Sequence, residues 1–135
     1  MKTDLVDVWS NGALYSPGAM EDQMLVFRAD GTGWYDWSSI AFSNVKLFEW
    51  QVVEANQLSL HIHRRLRQDY DDPKKWVELE EKGTEVVLPF ALSERETPVY
   101  GVLPFLQISF GFQIENGYAL INADASGLKV PGEAP

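Results

Sequence analysis

The sequence predicts an all-β fold: one antiparallel up-and-down barrel of about eight strands with at most one short helix. Three observations carry this reading. Apolar residues recur with period two, Gly, Asn and Asp turn signals punctuate the chain, and successive strand signals join as hairpins. A chain of 135 residues is the usual size of a single domain. Residues 1–125 are read as that domain and 126–135 as a C-terminal tail.

The first hairpin is read over Met24–Ser39. Met24 to Arg28 is apolar and β-prone, Asp30-Gly31-Thr32-Gly33 supplies the positive-φ positions of a tight turn, and Trp34 to Ser39 is rich in aromatics. A second hairpin runs from Leu47 to Leu66 around Ala55-Asn56-Gln57. Its returning arm alternates: Leu58, Leu60, Ile62 and Leu66 fall on one face, and Ser59, His61, His63, Arg65 and Arg67 on the other. That alternation also turns Arg64 inward. Asp72–Gly83 has a helix N-cap, a Pro and a closing Gly, yet Trp76 and Val77 are β-prone. Of the two readings, a hairpin with strand Trp76–Glu80 and a Lys82-Gly83 turn is preferred to a helix. Val86–Leu92 reads as a strand in which Pro89 marks an edge or a bulge. The last hairpin alternates Leu106, Ile108, Phe110, Phe112 and Ile114 with polar residues and Gly, then turns at Asn116-Gly117 into Tyr118–Ala123.

Composition narrows function by exclusion. With no cysteine, a disulfide scaffold, a thiolate zinc site and a thiol nucleophile are absent, which fits a reducing compartment. No apolar run approaches a membrane span, and acidic residues stand where a secretory signal would be apolar, so a cytoplasmic protein is expected. The formal charge of −9 disfavours nucleic acid and anionic membranes. It favours solubility or a basic protein partner.

Trp9 is followed by Phe27-Arg28-Ala29-Asp30-Gly31-Thr32-Gly33, then Phe48-Glu49-Trp50, then Leu58-Ser59-Leu60. In this order the pieces, which span Val8–Leu60, resemble the start of a bacterial lipocalin-like domain of the calycin superfamily. The resemblance implies an up-and-down barrel and the binding of a small hydrophobic ligand inside it. Asp7 stands where that family usually carries Gly two residues before the Trp, and no late Arg is evident to stack on Trp9.

Few residues point to chemistry. His61 and His63 form His-x-His on a strand, which sets both rings on one face, but they are the only histidines. They are weak metal candidates, and neither a metal nor any other cofactor is expected. Asp69, Asp71 and Asp72 lack the calcium-loop pattern, and Gly31-x-Gly33 joins two strands where a phosphate cradle opens a helix. No catalytic residues stand out, so an enzyme is the least favoured class. A barrel of this size either fills with side chains or holds one small ligand. The ligand reading takes Trp37, Phe48, Trp50 and Phe110 as lining residues of a cavity of at least about 300 Å³. Arg64 at its mouth would meet a ligand carboxylate. The alternative is an acidic interaction, inhibitor or immunity-type module that presents Asp69, Asp71, Asp72, Glu94 and Glu96 from loops to a basic protein.

Overall fold

The computed structural model describes residues 5–10, 22–38, 43–69, 71–72, 74–97, 100–108 and 117–122. Ten strands and no helix lie within them: β1 Asp7–Ser10, β2 Asp22–Phe27, β3 Thr32–Ser38, β4 Ser43–Glu54, β5 Gln57–Gln68, β6 Trp76–Leu79, β7 Thr84–Pro89, β8 Ala91–Thr97, β9 Gly101–Gln107 and β10 Gly117–Asn122. They form one antiparallel sheet in the order β6-β5-β4-β3-β2-β1-β10-β9-β8, with β7 also paired to β5. No helix among the described residues is long and apolar enough to cross a membrane.

The hairpins β2–β3 and β4–β5 form where the sequence places them. At the first turn Gly31 takes φ 86°, which a side chain would resist. The Asp30 carboxylate accepts from the Thr32 amide at 3.0 Å and its hydroxyl at 2.6 Å. Gly33 serves packing: a Cβ there would collide with the Val26 carbonyl oxygen and the Phe48 ring. Phe27 and Phe48, its two cross-strand partners, close over it with ring centroids 5.7 Å apart.

The remaining pairings depart from expectation. Trp76–Leu79 and Thr84–Pro89 are strands, but they do not pair with each other. Both lie along β5, β6 opposite Arg65–Gln68 and β7 opposite Gln57–Ile62, as one edge interrupted at 80–83. The hairpin reading was therefore half right: the strands exist, and β5 is long enough to partner both. Gly117 lies in β10 opposite Gln107, and Tyr118 opposite Leu106, while Asn116 of the expected turn lies outside the described residues. Phe110, Phe112 and the expected tail 126–135 lie outside the described residues.

Pro89 ends β7 as its missing amide requires. One residue later β8 begins on the far flank of the sheet, so β7 and β8 are a single extended run that changes partners at Phe90. Its amide donates to the Asn56 carbonyl at 3.0 Å. β7 and β8 thus follow each other in the chain on different flanks of the ladder, and no β7–β8 pairing is present among the described residues. One core built on Trp9, Leu25, Phe27, Tyr35, Phe48, Leu60, Leu106 and Tyr118 gathers side chains from every strand except β6.

A second cluster, of Val8, Val26, Trp34, Val45, Leu47 and Leu66, occupies the opposite face. Its last member corrects the facing of β5. Phe48 pairs Ile62 whereas Leu47 pairs Arg64, so His63 is an extra residue without an opposite number. This bulge offsets the alternation by one. Ile62 stays with the main core, while Arg64 and Leu66 leave it for the second face. Arg65 and Arg67, expected on the wet face, turn to the face of Tyr35 and Trp37 instead.

Candidate functional site

Two cross-strand rows follow from this offset. Tyr35, Lys46, Arg65 and Leu79 stand side by side across β3, β4, β5 and β6, and Trp37, Asn44, Arg67 and Val77 form the next row. Cross-strand partners share a face and sit about 5 Å apart at Cβ. A cavity of about 480 Å³ opens here, lined by Tyr35, Trp37, Asn44, Lys46, Arg65 and Leu79 with Val45 and Leu66. Its floor is rigid on one side, because the Tyr35 hydroxyl donates to the buried Gln23 side chain at 2.7 Å and Tyr118 reaches the same oxygen at 3.4 Å.

The electrostatics of this cavity depend on three side chains. Lys46 and Arg65 are direct cross-strand neighbours, and like charges in that position are destabilising. Burial, then the Arg65 charge, holds the Lys46 ammonium below its ordinary range, with Glu81 acting against both. Glu81 sits in the loop after β6. It accepts from the Thr84 hydroxyl at 2.9 Å and the Gly83 amide at 3.2 Å, and it reaches Arg65 Nε at 4.0 Å. The Thr84 hydrogen bond in particular holds its carboxyl below the usual glutamate range.

The residues expected to line one ligand site are dispersed. Trp37 lines the 480 Å³ cavity. Phe48 and Arg64 border a smaller one of about 280 Å³ near Asp30 and His63. Trp50 borders a third of about 460 Å³, with Glu49, His61 and Glu85. The Trp50 indole donates to the Arg28 and Thr32 carbonyls at 3.1 Å each, so its polar edge secures the β2–β3 turn. Arg64, expected inward, is half exposed on the other face and donates to Glu78 at 2.8 Å and 3.5 Å. The His63 bulge is the reason.

His61 and His63 do lie close, with ring centroids 6.5 Å apart. Among the described residues no group of three or more His, Asp or Glu side chains is arranged to hold a metal ion. Asp69, Asp71 and Asp72 belong to the β5–β6 connection, where the Asp71 amide donates to Asp69 and the Lys74 amide to Asp72. Glu94 and Glu96, expected in a loop, are exposed on β8 itself. Tyr35, Lys46, Arg65 and Leu79 escaped the sequence reading of the site, since their meeting depends on strand register. Comparison with protein-family models, with curated proteins and with solved structures finds no match.

Proposed function

We propose that this chain is a lipocalin-like β-barrel that binds a small, largely apolar molecule in the cavity between β3 and β6. The observation that carries the proposal is that cavity: about 480 Å³, walled by Tyr35, Trp37 and Leu79. Its size falls within the range of small-molecule sites. The barrel reading draws support from three further features. The run β7–β8 ties the ends of the ladder at Phe90, the first strand lies beside the last, and one core collects both flanks. The resemblance to bacterial lipocalins gains support at Asp7. This residue occupies the family's glycine position and takes φ 137°, where a glycine is at ease and an aspartate is not.

The test uses a neutral apolar fluorophore, phenylnaphthylamine, added to the intact protein. Saturable binding with loss of tryptophan emission is expected. Trp37→Phe should reduce that loss, and Leu79→Arg should abolish binding. Absence of saturable binding would overturn the proposal.

A further inference from the structure

We infer that the bare edge of β8 takes up an extended segment of a partner protein, added as a further strand with Lys or Arg at alternate positions opposite Glu94 and Glu96. The edge exists because the neighbouring strands stop short. β7 pairs β5 as far as Pro89 opposite Gln57, and the Phe90 amide then donates to Asn56 in the β4–β5 turn. β5 begins at Gln57, so β8 runs on past that turn and pairs only β9 among the described residues. On the other side of the hairpin β10 meets β9 only at Phe105–Gln107, and Pro104, next in line, has no amide to donate. The outer half of the β8–β9 hairpin is thus a two-stranded arm. Every second residue of β8 turns its N–H and C=O away from β9, which makes the edge a template for another strand. The side chains decide which strand fits. Leu92, opposite Leu106, packs against the main core. Glu94 and Glu96, opposite Pro104 and Val102 on the same face, lie beyond it and are exposed. Neither makes an ion pair among the described residues. Arg95 lies on the other face, over the Phe105 ring at 5.2 Å from its centroid. A strand laid along β8 would set two of its residues, spaced two apart, directly opposite the carboxylates, where opposite charges stabilise and like charges repel. A second copy of the chain is the poorer occupant. Paired residues share a face, so two-fold pairing of β8 with itself must set one residue opposite its own copy. Centred on Glu94, Arg95 or Glu96, that register opposes like charges, and the net charge of −9 adds repulsion. The same charge attracts a basic partner.

The experiment titrates three labelled synthetic peptides of equal length against the intact protein by fluorescence anisotropy. One alternates Lys with Thr, the second alternates Lys with Pro, and the third alternates Glu with Thr. The Lys–Pro peptide keeps the charge and the spacing but cannot add as a strand. The Lys–Thr peptide should bind at least about tenfold more tightly than the Lys–Pro peptide, and the Glu–Thr peptide should not bind. Amides of alternate residues of β8 should become protected from hydrogen exchange when the Lys–Thr peptide is bound. Glu94→Gln combined with Glu96→Gln should weaken that peptide about tenfold, the factor that two cross-strand ion pairs supply. Glu85→Gln, on β7, should leave its affinity within about twofold. Both positions on β8 are exposed, and native circular dichroism of the double variant checks that it folds. Equal binding of the Lys–Thr and Lys–Pro peptides would reduce the effect to net charge and overturn the inference. So would an affinity that survives the double substitution, or no binding of any peptide. Protection of β8 on concentrating the protein alone would give the edge to a second copy, and the inference would again be wrong.

Discussion

Asp7 shows how a single residue records a conflict between backbone and side chain. It begins β1 with φ 137°, next to an irregularity in the pairing of Val8 and Trp9 with β10, and its side chain is nearly buried. Trp9 is completely buried, and its indole donates to the Leu5 carbonyl at 2.9 Å. The strained backbone at position 7 thus stands two residues before a fully buried Trp9. Strain of this kind costs about 1–3 kcal/mol in a residue with a Cβ. Asp7→Gly is therefore expected to be more stable than Asp7→Ala by about 1–2 kcal/mol, since both lose the carboxylate and only glycine loses the strain. Urea unfolding midpoints of the two variants decide it. Equal stabilities would mean that the backbone at position 7 is relaxed.

Strand β5 carries the largest difference between what the sequence suggests and what the molecule does. Its apolar pattern, Leu58, Leu60, Ile62 and Leu66, reads as one uninterrupted face. Both sides of the sheet are buried here, so a leucine that crosses to the second cluster finds as good a home there as in the first. Periodicity records burial and not which face is buried, so the bulge left no trace in the pattern. The hairpins β2–β3 and β4–β5 were legible for the opposite reason: their turns are written locally, in Asp30-Gly31-Thr32 and Ala55-Asn56. If the bulge sets the facing, the exposed ring of His63 does not matter. His63→Ala should change stability by no more than about 0.5 kcal/mol. Deletion of His63 should close the bulge and keep Ile62 opposite Phe48, Arg64 opposite Leu47 and Leu66 opposite Val45, so the faces stay as they are. The loss should remain well below the roughly 3 kcal/mol of an unpaired buried charge. Two carboxylates, Glu78 on β6 and Glu81 in the loop after it, bear on stability at this scale. Arg64 holds the Glu78 carboxyl below the usual range through a hydrogen bond, and Thr84 does the same for Glu81. Their stabilisation is complete above the usual glutamate range and is lost as pH falls through it towards the lowered values. Glu78→Gln with Glu81→Gln should therefore flatten the acid limb of a stability–pH profile. An unchanged limb would show that these exposed contacts contribute nothing.

At the scale of the whole molecule, the ladder runs from β6 and β7 to β8, and Phe90 stands between β7 and β8 in the chain. That change of partners was legible only in part. Pro89 marks the break, but nothing in the sequence says that β7 and β8 take partners on opposite flanks. One core draws on strands from both flanks, and the bulge in β5 turns Arg65 instead of Arg64 to the face of Tyr35 and Trp37. Together they define the cavity on which the functional account depends. The most direct test is nuclear magnetic resonance of the intact protein with bound phenylnaphthylamine, observing nuclear Overhauser contacts between probe and protein. Contacts to the Trp37 ring and the Leu79 methyl groups are expected. Contacts confined to the exposed apolar side chains Val87, Tyr100 and Val102 would place the ligand on the outer surface and contradict the account.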